Sequence, residues 1–305
     1  MSTEKNPDEK ELWASIPRSE GVDRAEHFVT LSHMAYDRGD FKSALALCES
    51  AREIYESHKA TVGTQALLHV YEGITWSLRK LDREAEAAEL ALHAVEVLKE
   101  DNPVDATDML REAGRFFFNA GEYQKSLDCH TKAMEEIDPD LSDFTMGIDN
   151  YNVGFAYMKL EKYPEAIPYL IKAREYFKKD KEPEKIYYCD EYLAASYIEL
   201  NNGVEATVHA QKALDFAITA QNSCLETWAK YRLGCAKVLL AELEEAEDLL
   251  RNSLAINSRT NSPDWDLTIE LEKEIANILT TKGRVAEADE IRRRIKTLEE
   301  TIKGE

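Results

Sequence analysis

The sequence predicts an all-α fold made of about seven stacked helix pairs. Three observations predict it: a repeat of 40 residues, apolar residues spaced three and four apart within each half-repeat, and a shortage of turn-forming residues. Only 12 glycines and 8 prolines occur in 305 residues, whereas sheets and barrels use both at many turns. Repeated helical units of this kind indicate a solenoid, in which each pair packs on its neighbours.

The repeat is clearest in the middle of the chain. Blocks that start at Gly114, Gly154, Ala194 and Gly234 align without a gap. Each block opens with a small residue, and further small residues follow twelve and nineteen positions later. Weaker copies precede and follow these blocks, and the second copy is about three residues out of register. Seven units of about 40 residues therefore cover nearly the whole chain.

Turn signals divide each unit into two helices, of which we expect about fourteen over residues 22–303. The clearest signals are Gly39-Asp40, Gly121-Glu122, Asn201-Asn202-Gly203 and Lys282-Gly283. Residues 1–21 are predicted to form a polar tail that Trp13 can fasten to the first unit. Residues 285–303 are predicted to form a charged capping helix, or alternatively the seam of a homodimer.

Three segments, AGEYQKS, KYPEAIPYLIKA and RGDFKSALALCESA, resemble the tetratricopeptide repeat. The small residues allow the two helices of a pair to approach closely, and an aromatic residue fills the space between them. Units of 40 residues look like those of kinesin light chains and of bacterial peptide receptors of the Rap and arbitrium type. The resemblance implies a right-handed α-α superhelix whose first helices line a concave groove, where a peptide or partner protein binds.

The charge and the cysteines limit the classes of partner and compartment. The chain has 38 Lys+Arg against 59 Asp+Glu, a formal net charge of −21. Such a surface repels nucleic acids and anionic membranes, and no apolar run is long enough to span a bilayer. Neither a signal peptide nor a CxxC motif is present, and the cysteine count is odd. We therefore expect a cytoplasmic protein with free thiols and with no nucleic-acid or membrane partner.

The sequence contains no recognisable catalytic constellation. It lacks the phosphate-cradling glycine motifs, the GxSxG motif and any HxxxH spacing. Cys48 and His130 occupy equivalent positions in second helices, which indicates packing residues rather than a nucleophile and its base. Runs of carboxylates are interpreted as solvated helix faces. We expect no enzyme activity, no metal site and no cofactor.

A second apolar stripe on the first helices is the strongest indication of a binding surface. A helix that is apolar on two faces needs two surfaces to pack against. The aromatic candidates on this stripe are Trp76, Phe118, Tyr151, Phe155, Tyr188 and Trp228. Neighbouring helices that bury the stripe themselves are the alternative explanation.

Polar candidates accompany the stripe. Arg79, Arg111 and Arg115 cluster towards one end, where arginine suits a bidentate contact with a carboxylate. Alternatively, they only neutralise Glu72 and Asp108. The Asn152 amide can donate to and accept from a peptide backbone, although a contact with a neighbouring helix would also explain it.

These observations predict a non-enzymatic interaction module, a scaffold or adaptor that binds a protein or peptide segment in its groove. Two alternatives remain open: a regulatory receptor for a short signalling peptide, and an acidic secretion or assembly chaperone.

Overall fold

The computed structural model describes residues 9–136, 141–260 and 262–304, and every regular element in these ranges is helical. A short 3₁₀ helix, Ile16–Arg18, follows α1. The α-helices are α1 Glu9–Ser15, α2 Gly21–Asp37, α3 Phe41–Ser57, α4 Lys59–Lys80, α5 Glu84–Leu98, α6 Pro103–Asn119, α7 Tyr123–Glu135, α8 Asp143–Lys159, α9 Tyr163–Lys179, α10 Pro183–Glu199, α11 Gly203–Thr219, α12 Ser223–Leu239, α13 Leu243–Asn257, α14 Trp265–Thr281 and α15 Val285–Gly304.

The chain divides into two compact units, residues 1–140 with α1–α7 and residues 141–305 with α8–α15. In unit 1 the helices pair as α2/α3, α4/α5 and α6/α7, and in unit 2 the four pairs run from α8/α9 to α14/α15. Each pair also contacts the next pair of its unit, and in unit 2 the first helices α8, α10, α12 and α14 contact one another in order. The predicted all-α class and the number of pairs are both confirmed.

The turn inside each pair has a common geometry. In each of these turns one residue has positive φ, such as Gly121 with φ 80° and Ala241 with φ 59°. The next amide reaches back to a carbonyl five residues earlier, for example from Glu122 N to Phe117 O at 2.8 Å. This is the long bond of a Schellman motif, which satisfies a carbonyl at the helix end. In the turns inside the seven pairs, the positive-φ residues are Gly39, Asp82, Gly121, Glu161, Asn201, Ala241 and Gly283.

The small residues that open the repeats are sites of close helix approach. A Cβ atom on Gly154 would lie 2.9 Å from Leu170 Cγ, and one on Gly234 would lie 2.7 Å from Leu250 Cγ. The equivalent contact in unit 1 joins Gly114 to the ring of His130, where a Cβ atom would lie 2.7 Å from Nε2. His130 is 1% exposed, so it packs as the sequence predicts. Cys48 is buried as well.

The N-terminal segment is fastened to the first pair by a different residue from the one expected. Residues 9–18 are helical, and Leu12 is buried in a cluster with Leu31 and Leu47. Trp13 is half exposed, because it follows Leu12 and points to another side of the short helix. At the other end of the chain, α15 buries Ile291 and Ile295 in a cluster with α14.

Candidate partner-binding sites

Unit 2 contains an open groove of about 610 Å³, which we call the aromatic groove. It lies along the first helices α8, α10 and α12, with one residue contributed by α9. Half-buried aromatic rings form much of its surface. The lining residues are Phe155, Met158, Lys159, Glu161, Tyr163, Tyr187, Tyr188, Glu191, Tyr192, Ala195, Glu199, Cys224, Leu225, Trp228 and Arg232.

Stacked rings from two adjacent helices form one wall of the aromatic groove. Phe155 of α8 stacks on Tyr192 of α10, with ring centroids 4.5 Å apart and planes inclined by 16°. Tyr151 supports both rings, at 6.0 Å from Phe155 and 5.8 Å from Tyr192. Burial and the neighbouring Glu191 carboxylate raise the pKa of Tyr192 to about 12. The hydroxyl therefore remains a neutral hydrogen-bonding group at physiological pH.

A buried ion pair joins α10 and α12 within the groove. Arg232 Nε donates to Glu191 Oε1 at 2.6 Å, and the side chains are 22% and 7% exposed. The guanidinium carbon lies 5.5 Å from the ring centroid of Trp228 and 5.2 Å from that of Tyr231. Burial opposes the charge on Arg232, but the Glu191 carboxylate raises the pKa of the guanidinium above its usual range. The charge on Arg232 therefore persists inside the groove.

The end of the groove near the C-termini of α8 and α10 carries mixed charge. Lys159 Nζ lies 5.5 Å from the ring centroid of Phe155. The carboxylates of Glu161 and Glu199 line the same end, and burial together with these carboxylates raises the pKa of Tyr163. The groove thus combines apolar faces along its length with charges at this end and at the Glu191–Arg232 pair.

Three of the residues predicted for unit 2, namely Phe155, Tyr188 and Trp228, line the aromatic groove. Tyr151 lies behind the wall, where it contacts Phe177 of the core. Asn152 is half buried and outside the lining.

Sequence reasoning missed Tyr192, Arg232 and Glu191 as groove residues. A signal was present for the first two, because they lie 40 and 80 positions after Asn152 and therefore share its register. At this register, where the sequence analysis singled out only Asn152, the structure places an aromatic ring and a guanidinium. Glu191 is buried against Arg232 from the next pair, a contact that the register alone does not predict.

Two of the unit 1 candidates, Arg79 and Arg115, lie against a third, Trp76. The guanidinium carbons of Arg79 and Arg115 lie 5.2 and 5.6 Å from its ring centroid. The structure thus brings together a tryptophan of α4 and arginines of α4 and α6. Phe118 lies elsewhere on α6, with its ring 5.2 Å from that of Tyr123.

Each of the three arginines contacts a carboxylate. Arg111 donates to Asp108 at 2.7 Å, and Arg115 pairs with Glu112. Arg79 Nε lies 3.8 Å from Glu84 Oε1. The alternative in which an arginine neutralises Asp108 is therefore present, whereas in the described ranges none of the three arginines pairs with Glu72. The local charge is lower than three unpaired arginines would give.

A polar network outside the groove has the composition of a catalytic dyad. His209 Nδ1 lies 2.6 Å from Asp190 Oδ1, and Arg174 Nε donates to Asp190 Oδ2 at 2.9 Å. Asp190 is 2% exposed and His209 is 9% exposed. Because the three residues come from α9, α10 and α11, the network ties three consecutive helices together.

In the described ranges, no group of three or more His, Cys, Asp or Glu residues is arranged to hold a metal ion. None of the helices in these ranges combines the length and the apolar character needed to cross a bilayer. All five cysteines are free thiols, and Cys224 is exposed at the rim of the aromatic groove.

Comparison with known proteins agrees with the repeat geometry. The tetratricopeptide repeat family model matches residues 24–58, which include most of the first pair. Solved structures with this repeat superpose on most of the chain. The chain has the tetratricopeptide repeat fold. No curated protein sequence matches it.

Three similar structures illustrate how far this tetratricopeptide repeat likeness extends. A STAND ATPase with a tetratricopeptide repeat sensor, from Pyrococcus horikoshii, is 18% identical with a TM-score of 0.69, and the match covers 94% of this chain and 43% of that one. A Rap protein complexed with competence and sporulation factor is 15% identical with a TM-score of 0.60, covering 90% and 77%. Repeats of a putative kinesin light chain from Podospora anserina are 16% identical with a TM-score of 0.52, covering 65% and 96%. These likenesses concern the fold.

Proposed function

We propose that the chain is a non-enzymatic interaction module that holds a segment of a partner polypeptide in the aromatic groove of unit 2. The observation that carries the proposal is the set of half-buried rings around the Glu191–Arg232 pair. Tetratricopeptide repeat proteins are interaction modules, and their concave surfaces hold peptides and partner helices. A scaffold or adaptor role follows from this chemistry.

The groove offers two kinds of contact to a polypeptide. Aromatic faces anchor side chains through apolar contact and account for most of the energy at such interfaces. Arg232 carries five N–H donors, and within the described ranges only its Nε donates to a neighbouring group. The other donors are suited to backbone carbonyls or a carboxylate of the bound segment.

A receptor for a short peptide is the more specific form of this proposal. It is supported by the likeness to a Rap protein that was solved with competence and sporulation factor. The free thiols support a reducing compartment such as the cytoplasm.

Selection from a library of displayed random peptides tests the proposal. The full chain is used as bait, and enriched peptides are titrated by fluorescence anisotropy against the wild type and Trp228→Ala. We expect Trp228→Ala to weaken binding by at least about tenfold, because truncating an anchoring aromatic costs about 2 kcal/mol or more.

The matched control is Trp265→Ala, which removes an exposed tryptophan of the same unit outside the groove. This variant is expected to bind the peptides like the wild type. Equal affinity of the wild type and Trp228→Ala, or enrichment of no peptide, would contradict the proposal.

A further inference from the structure

A separate cavity of about 310 Å³ lies in unit 1, between α2, α3 and α4; we call it the unit 1 pocket. It shares no lining residue with the aromatic groove. The volume is at the lower end of ligand sites, which suits a single side chain rather than an extended segment.

Small residues, including Ala44, Gly73 and Ser77, form the floor of the unit 1 pocket. A Cβ atom on Gly73 would lie 2.9 Å from Cys48 Sγ, so α4 approaches α3 closely at this point. The Ser77 hydroxyl donates to the Gly73 carbonyl at 2.7 Å. Because that hydroxyl is engaged within its own helix, the floor is suited to an alkyl chain.

Aromatic rings form the walls. His33 and His69 lie edge to face with ring centroids 5.3 Å apart, and Tyr36 and Trp76 also line this open pocket. Burial and the neighbouring His69 lower the pKa of His33, so this ring is neutral at pH 7. Trp76 is held in place by the guanidinium groups of Arg79 and Arg115 described above, whose charges are compensated by carboxylates.

Two carboxylates, those of Asp37 and Glu72, complete the lining. Within the described ranges neither forms an ion pair with a lysine or an arginine; the Nδ1 atom of His69 lies 4.0 Å from Glu72 Oε2. Burial raises the pKa of Glu72, and the carboxylates of Asp105 and Glu112 raise it further, against the opposing effect of His69. The field at this edge of the pocket is therefore negative, and a cation would relieve it.

We propose that the unit 1 pocket binds a lysine or arginine side chain of a partner polypeptide. The alkyl stem lies on the floor while the cationic head reaches the carboxylates of Asp37 and Glu72, the arrangement by which long basic side chains satisfy both of their parts. The face of Tyr36 adds a cation–π contact. The excess of carboxylates over basic residues in the whole chain favours the approach of such a partner.

Titration of the ¹⁵N-labelled full chain, observed through the indole N–H signals of its four tryptophans, tests the proposal. The signal of Trp76 is assigned with Trp76→Phe. The probes are acetyl-Gly-Lys-Gly-amide, its arginine counterpart and its norleucine counterpart, which has an alkyl side chain but no charge. We expect the two basic peptides to shift the Trp76 signal in a saturable way, and the norleucine peptide to bind at least about tenfold more weakly.

The double variant Asp37→Asn, Glu72→Gln is expected to lose the preference for the basic peptides. Its matched control is Glu53→Gln, Asp128→Asn, which removes two exposed carboxylates of unit 1 outside the pocket and should bind like the wild type. A far-ultraviolet spectrum and a melting curve confirm that each variant folds.

Three outcomes would overturn the proposal: no saturable shift of Trp76, equal binding of the norleucine peptide, or an unchanged preference in the double variant. Butylammonium distinguishes the source of the cation. If it binds more tightly than the lysine peptide, the pocket selects a small free amine, and the assignment to a polypeptide side chain is wrong.

Discussion

The two units place arginine and tryptophan together in different ways. In unit 2 the guanidinium of Arg232 lies against Trp228 and bonds to the buried Glu191 of the preceding pair. In unit 1 the guanidinium of Arg115 lies against Trp76 but pairs with Glu112, three residues earlier on its own helix. An ion pair between two helices contributes to the packing of those helices. An ion pair between residues of the same helix does not hold that helix to its neighbours. We therefore expect the same residue types to contribute different amounts to the free energy of unfolding in the two units.

The largest difference in stability between the two units is expected when the carboxylate of each ion pair is removed. We expect Glu191→Gln to lower the free energy of unfolding by about 3 kcal/mol or more, because it leaves a buried guanidinium without its counter-ion. Glu112→Gln should cost under about 1 kcal/mol, since both side chains of that pair remain partly exposed to solvent. Hydrogen exchange of α10 and α12, compared with α6, measures both changes.

The double variant Glu191→Met, Arg232→Met provides the control for this pair. Since it removes both charges, it should recover most of the stability lost in Glu191→Gln. Equal losses in Glu191→Gln and Glu112→Gln would refute the distinction between the two pairs.

The contact between α6 and α7 in unit 1 should respond to acid, because His130 occupies the place that Leu170 and Leu250 take in two pairs of unit 2. Burial, and then Arg111, lower the pKa of His130 to about 4 from its usual 6.5. Below pH 6.5 the His130 imidazole is protonated in the unfolded chain, whereas in the folded chain it stays neutral down to about pH 4. Unit 1 therefore loses roughly 3 kcal/mol as the pH falls through this window.

His130→Leu removes the titrating group and should abolish that part of the acid sensitivity. Urea denaturation, followed by hydrogen exchange in α6 and α7 at pH 7 and at pH 4.5, measures the difference between wild type and variant. If the two proteins lose stability in parallel between these pH values, His130 does not carry the effect.

A methyl group added at the close helix contacts should also destabilise the two units to different degrees. Gly154→Ala should destabilise unit 2 by about 1–3 kcal/mol, because its Cβ atom meets Leu170 and also the Ala166 carbonyl oxygen at 3.3 Å. The equivalent Gly114→Ala in unit 1 meets the flat ring of His130, which has less freedom to move than a leucine. Thermal unfolding should therefore show the larger loss for Gly114→Ala, and the reverse order would contradict this account of the packing.

The smallest expected effect concerns the turns inside the pairs. Ala241 has φ 59° in unit 2, where the turn of unit 1 uses Gly121. Ala241→Gly should stabilise the chain by about 0.5–1 kcal/mol, because glycine avoids the cost of a side chain in the left-handed region. Chemical denaturation measures the gain, and the control Ala220→Gly, whose φ is −74°, should give none.

The sequence was sufficient to predict the architecture, because a period of 40 residues is written into each pair through its small residues and turns. Glycine and asparagine marked several turns correctly. Glu161 and Ala241 gave no such signal, although they adopt the same backbone geometry, since the Schellman bond is made by backbone groups that every residue has.

The candidate sites were less accessible from the sequence because they depend on contacts between pairs. The register predicted that Phe155, Tyr188 and Trp228 share a face, and all three line the aromatic groove. Glu191 and Arg232 are 41 positions apart, and only the packing of α10 on α12 shows that they meet. At the N-terminus the sequence predicted a contact by Trp13, but the structure buries Leu12 instead. The reason is similar, because the way in which a short helix packs decides which of two neighbouring residues is buried.

Photo-crosslinking at Tyr188 tests most directly whether the aromatic groove binds a polypeptide. Benzoylphenylalanine replaces Tyr188 in one variant and Trp265 in another, and both are irradiated with the peptide selected against the wild type. The account predicts covalent capture at position 188, mapped by mass spectrometry, with little at position 265. Capture at position 265 that equals or exceeds that at position 188 would contradict it.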